Sequence, residues 1–137
     1  MRRHIASLLL ALFVAATALT GASLAAPARV AAANCVGNGY IYAASQTQVY
    51  LASYYSCNPA AYVGITVYLE QYRSGTWTRI YSEGAFAFNG PVTFINKSYF
   101  RTITRGYSYR NQTDYYWLVG GNWVYAGYTF SSPVYMG

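Results

Sequence analysis

Beyond position 33 the apolar and polar residues alternate with a period of two. "YIYAA" from Tyr40, "TQVYLASYY" from Thr47 and "ITVYLEQY" from Ile65 all show it, and this spacing sends successive side chains to opposite faces of a strand. The turn-forming clusters "CNP", "RSG", "SEG", "FNGP", "RNQ", "VGGN" and "SSP" punctuate the runs. Strands are expected near 39–44, 47–55, 63–72, 76–82, 91–95, 98–109, 114–119 and 122–130. Seven or eight short strands in about 100 residues predict a single all-β domain, a two-sheet antiparallel sandwich.

Two hairpins can be written out pair by pair. Pairing the first about Gln46 sets Tyr42 against Tyr50, Ile41 against Leu51 and Cys35 against Cys57. Ile41, Ala43, Val49, Leu51 and both cysteines then share one face, while Tyr40, Tyr42, Tyr50 and Tyr54 share the other. In the second hairpin a Ser74-Gly75 turn sets Tyr72 against Trp77, Glu70 against Arg79 and Tyr68 against Tyr81. Ile65, Val67, Leu69 and Ile80 are left as its core face. The outward side carries the candidate binding residues Tyr68, Tyr72, Trp77, Arg79 and Tyr81. Such rows stabilise a hairpin by roughly 0.2 to 1 kcal/mol per pair and so have a purely structural use. Their density is also what binding surfaces favour.

The first 33 residues read differently. Met1, Arg2, Arg3 and His4 are basic, Ile5 to Leu19 is a Leu/Ala-rich apolar run, and a small-residue segment follows from Gly21 to Ala33. That order is a secretory signal peptide over 1–33, with cleavage expected after Ala33 and with Ala28 or Ala25 as earlier options. The run is too short to span a bilayer, so no membrane anchor is expected. The mature domain is then 34–137, secreted, with association with a cell wall left open.

Losing the leader changes the chemistry available. The whole chain has a formal charge of +6. Without Arg2, Arg3 and Arg29, six cations face Glu70, Glu83 and Asp114, for a net +3. The one histidine, His4, leaves, while all 17 tyrosines and three tryptophans stay. An exported pair of cysteines is expected to close as a Cys35–Cys57 disulfide, worth about 3 kcal/mol across a loop of this length.

Catalysis is not expected. Without histidine there is no Ser-His-Asp or Cys-His arrangement, and the disulfide removes the thiols as nucleophiles. No metal site of the usual zinc type and no cofactor are expected. Of the acids, Glu70 faces Arg79, and Glu83 and Asp114 lie beside turn signals. Arg101 and Arg105 share a strand face with Tyr99 and Tyr107, but a net +3 is a weak field for a nucleic acid, and none is expected as a partner. "NKS" at 96–98 and "NQT" at 111–113 fit the glycosylation pattern.

"YFRTITRGYSY", "GNWVYAGYTFSSPVYM" and "VYLEQYRSGTWTRI" together resemble the small secreted proteins of unknown function found in actinobacteria. The matching positions are Tyr99, Arg101, Thr102, Gly106, Ser132, Pro133 and Val134, with Phe100 interrupting the Tyr-Arg-Thr order. The resemblance implies an exported immunoglobulin- or fibronectin-like sandwich and supplies no catalytic residues. The expected function is a non-catalytic binding or cell-envelope-associated domain, monomeric, whose partner is a protein or a cell-envelope glycan. The alternatives are a secreted inhibitor or antibacterial protein docking through a loop such as Asp114 to Asn122, and a structural wall component.

Overall fold

The computed structural model describes residues 34–137, and the leader expected over 1–33 lies outside the described residues. Eight strands follow in order: β1 Asn34–Ala43, β2 Gln48–Ala61, β3 Val63–Arg73, β4 Thr76–Phe86, β5 Val92–Thr102, β6 Tyr107–Val119, β7 Asn122–Phe130 and β8 Val134–Met136. They form two antiparallel sheets packed as a sandwich. One has three strands in the order β1-β2-β5; the other runs β4-β3-β6-β7, with β8 also pairing with β6.

The first hairpin has the register read from its pattern: Tyr42 pairs with Tyr50, Ile41 with Leu51 and Cys35 with Cys57. The two cysteines form a disulfide, with Cα atoms 4.1 Å apart. Along β2 burial alternates without a break from Val49 to Cys57.

Four expectations need correction. The strands expected at 98–109 and 114–119 are divided differently, because the chain turns at Arg105-Gly106, where Gly106 has φ of 90°, and then runs unbroken from Tyr107 to Val119. "RNQ" therefore lies inside a strand and is no turn. In the second hairpin Glu70 pairs with Arg79 and Tyr72 with Trp77 as expected, but a bulge follows and Leu69, not Tyr68, faces Tyr81. The extra residue, Ile80, is 47% exposed and not in the core.

Between the sheets lie Val49, Leu51, Tyr55, Val63, Ile65, Val67, Leu69, Tyr99, Tyr109 and Tyr115, all buried. At the centre the filling is polar. Asn111 of β6 is fully buried and donates from Nδ2 to Tyr40 O (3.0 Å), Ala52 O (3.3 Å) and Ser53 Oγ (2.9 Å), all in the opposite sheet. Thr113 donates to Asn111 Oδ1 at 2.9 Å, and Ser53 and Thr113 share a hydrogen bond of 2.6 Å. This knot needs β1 close to β6. A Cβ at Gly39 would sit 2.8 Å from Thr113 Oγ1, and one at Gly37 would fall within the Tyr115 ring. Glycine at both positions allows the approach.

Two substitutions test the core by different physics. Leu69→Ala removes a buried aliphatic side chain and is expected to cost about 2 to 5 kcal/mol in chemical denaturation. Asn111→Ala is expected to cost about 2 to 3 kcal/mol, because it leaves inter-sheet acceptors short of a donor away from water. A change below about 0.5 kcal/mol, typical of surface sites, would contradict either placement.

Candidate functional site

Strand pairing builds an aromatic surface on the outside of the three-stranded sheet. Tyr42 pairs with Tyr50, and Tyr50 with Phe100, so one row crosses all three strands with ring centroids 5.0 and 4.8 Å apart. A second row runs diagonally through Tyr40, Tyr54 and Phe94, at 6.3 and 6.0 Å and with ring planes within 26° of parallel. Tyr40, Tyr42, Phe94 and Phe100 are exposed. The remaining positions of the same parity are Asn34, Val36, Asn38, Gln48, Ala52, Ser56, Asn58, Asn96, Ser98 and Thr102. No Lys, Arg, Asp or Glu is among them. Lys97 and Arg101 of β5 have the opposite parity and reach toward β4.

The outer face of the five-stranded sheet has a different chemistry. Four of the sequence-derived candidates, Tyr68, Tyr72, Trp77 and Arg79, share it, and β6 and β7 contribute Arg110, Gln112, Asp114, Tyr128 and Phe130. Glu70, expected as half of an exposed pair, is buried. Arg110 Nε binds Glu70 Oε2 at 2.6 Å, while Arg79 lies farther away, 3.7 Å from Glu70 Oε1 and 3.5 Å from Asp114 Oδ2. Asp114, expected beside a turn, is buried within β6 and accepts from Gln112 Nε2 at 2.7 Å. The guanidiniums are in turn covered by rings: Arg110 lies 4.3 Å from the Trp77 centroid and 3.8 Å from that of Phe130, and Arg79 lies 3.9 Å from Tyr68. Stacking of this kind desolvates a cation without removing its favourable contacts. Tyr68, Trp77 and Phe130 are therefore committed to covering ion pairs, while Tyr72 and Tyr128 remain exposed beside them.

The fifth candidate, Tyr81, is separated from the others by the bulge at Ile80. It packs against the core, edge-on to Tyr99 at 5.3 Å, and donates to Glu83 Oε1 at 2.9 Å. Glu83 also binds Lys97 at 2.7 Å and Arg101 at 2.8 Å, and the Arg101 guanidinium lies 3.3 Å from the Tyr81 centroid. This cluster joins β4 to β5 along one side of the sandwich. Inward charges on such strands also discourage pairing with another chain's edge.

At one end of the five-stranded sheet, Phe86, Phe88, Tyr116 and Trp123 form a further aromatic group, with Phe86 4.9 Å and Phe88 5.8 Å from Trp123. The expected loop from Asp114 to Asn122 is not a loop: Asp114 to Val119 belong to β6, and only Gly120 and Gly121 turn the chain. Of the two glycosylation triplets, Asn111 is enclosed in the core, whereas Asn96 is exposed on β5. Sequence reasoning missed Phe94 and Phe100 because nothing local to β5 says that it pairs with β2. It missed Arg110 and Asp114 because the polar run "RNQ" reads as a turn, although the alternation of Tyr107, Tyr109, Tyr115 and Trp117 continues through it.

Among the described residues, no group of three or more His, Cys, Asp or Glu side chains could hold a metal ion, and no helix is long and apolar enough to cross a membrane. Comparison with known proteins finds no family model, curated protein or solved structure that matches this chain.

Burial raises the phenol pKa of several tyrosines. Tyr68 is pushed up to about 12, mainly by burial and further by Tyr116 and Asp114, with Arg79 opposing. Tyr99 is raised by burial and by Glu83, and Tyr115 by burial against a hydrogen bond to Thr129. Each folded pKa lies above the ordinary value of 10.0, so their contribution to stability is whole below pH 10 and falls as pH rises toward the folded values. A spectrophotometric titration is expected to show one set of phenols ionising near pH 10 and a second set ionising later or with unfolding. A single transition near 10 for all of them would contradict these burials. Glu70→Gln is expected to cost about 3 kcal/mol in denaturation, the scale of a broken buried pair. A loss of only about 0 to 1 kcal/mol would return Glu70 to the exposed pair expected from the sequence.

Proposed function

We propose that the chain is an exported, non-catalytic binding domain that meets its partner with the aromatic face of the three-stranded sheet. The observation that carries this reading is a continuous, uncharged surface bearing Tyr40, Tyr42, Tyr50, Tyr54, Phe94 and Phe100 on strands whose other face is fixed in the core. Aromatic residues contribute strongly to contacts with little loss of side-chain freedom, and a surface of this kind on a stable scaffold is a default interaction site. The five-stranded sheet has comparable aromatic content, but three of its rings, Tyr68, Trp77 and Phe130, cover the Arg79 and Arg110 ion pairs, and the face is charged.

Two further features support the wider reading. The closed Cys35–Cys57 bridge fits an oxidising compartment, as the basic and apolar leader of the sequence also suggests. The strand order β1-β2-β5 against β4-β3-β6-β7 favours a fibronectin-like sandwich. The non-catalytic reading rests on acids held by cations: Glu70 by Arg110 and Arg79, Asp114 by Arg79, and Glu83 by Lys97 and Arg101. A second reading, an inhibitor docking on a protein, draws on Phe88, which is 73% exposed beside an open recess of about 370 Å³ at the β4–β5 loop.

Paired variants separate the two. Tyr42→Ala with Phe100→Ala removes rings that contribute only about 0.2 to 1 kcal/mol per cross-strand pair, so the fold is expected to survive. Retention on cell-envelope preparations is expected to fall by about tenfold or more, as loss of contact aromatics does elsewhere. Phe88→Ala is expected to leave retention unchanged. The opposite ranking of the two variants would transfer the function to the β4–β5 end.

A further inference from the structure

Resting on that reading of the face, we propose that its ligand is a neutral polysaccharide, bound as an extended chain across β1, β2 and β5. The first argument is charge. The described residues carry six cations and three acids, yet none stands on this face. The acids and the two β5 cations are drawn into ion pairs elsewhere. Such a face offers no attraction to phosphates, acidic peptides or anionic lipid headgroups, whose binding depends on Lys and Arg. It complements an uncharged polymer.

The second argument is the pairing of ring and polar group. A pyranose unit presents C–H bonds on its faces and hydroxyls around its rim, so it needs an aromatic surface to stack on and short polar side chains beside it. The face has both, with Asn38, Asn96, Ser98, Gln48 and Thr102 placed among the rings. Amide and hydroxyl groups both donate and accept, which suits hydroxyl partners. A protein interface would more often set arginine beside its aromatic anchors, and this face has none.

The third argument is shape. Tyr50, Ala52 and Tyr54 succeed one another on the same face of β2. The two tyrosines stand ~13 Å apart along the strand at ~3.3 Å per residue, with the small Ala52 between them. Ala52 pairs with Tyr40 on one side and Ser98 on the other. The Tyr42–Tyr50–Phe100 row and the Tyr54–Phe94 pair therefore flank a shallow trough over Ala52 and Ser98, with the Ser98 hydroxyl in its floor and the Tyr40 ring standing at its β1 end. A linear sugar chain laid in this trough would have rings on both sides along its length.

The test uses suspensions of microcrystalline cellulose and chitin as neutral probes, alginate gel as an anionic one, and an envelope preparation in parallel. Retention on cellulose or chitin that persists at high salt and falls at least tenfold in the Tyr42→Ala, Phe100→Ala variant supports the proposal. An intermediate loss of several-fold is expected for Ser98→Ala, with the melting curve unchanged. Retention on alginate alone, or retention abolished by salt, overturns it in favour of an anionic ligand. If the envelope preparation retains the protein through this face while both neutral polysaccharides do not, the glycan inference fails and the binding face survives. Retention that ignores the face variant on every support overturns both. Sedimentation showing that the face instead pairs two copies, with the variant monomeric, overturns the glycan in favour of self-association.

Discussion

The buried amide of Asn111 sets how near the two sheets stand. Its nitrogen reaches Tyr40 O, Ala52 O and Ser53 Oγ across the interface, and its oxygen accepts from Thr113. Apolar packing alone tolerates sliding of one sheet over another, because it is not directional. Hydrogen bonds in a water-free interior do not, since an unmet donor costs more than a met one contributes. The knot thus selects one relative placement of β1, β2 and β6. Gly37 and Gly39 follow from it, because β1 must pass where Tyr115 and Thr113 leave no room for a side chain.

With the inner faces fixed, the outer faces diverge. Outside the five-stranded sheet, Glu70 and Asp114 are buried under Arg110 and Arg79, and Trp77, Phe130 and Tyr68 lie on the guanidiniums. Carboxylates removed from water need close partners, and the rings complete that enclosure. Outside the three-stranded sheet there is no charge to enclose. Its six rings contact mainly one another and solvent. The two surfaces use similar residues for different purposes, and the sorting of charge distinguishes them.

Much of this was legible locally, and the exceptions are instructive. The Gln46 hairpin could be written pair by pair because alternation is unbroken from Tyr40 to Cys57 and the inward residues are unambiguous. The Ser74-Gly75 hairpin was legible only as far as Glu70 and Arg79. Beyond that, the bulge at Ile80 turned Tyr81 inward, to where Arg101 and Glu83 meet it. In β6, polar residues in a row looked like a turn because exposed polar residues usually are one. Asn111 and Thr113 are instead buried polar groups with partners on β1 and β2, which a single strand's sequence does not display, and Gln112 is buried beside Asp114.

Strand propensity, the faces of the Gln46 hairpin and the disulfide depend on residues near one another in the chain, and the order of amino acids was enough for them. Which strands lie side by side depends on pairings between distant segments. β5 joined to β2 brings Phe94 and Phe100 to the tyrosine rows, and β6 joined to β3 brings Arg110 to Glu70 and places Asp114 within reach of Arg79. Each hairpin's pattern is compatible with several neighbours. The choice is made by the packed whole, where the inter-sheet hydrogen bonds and every buried charge must be satisfied at once.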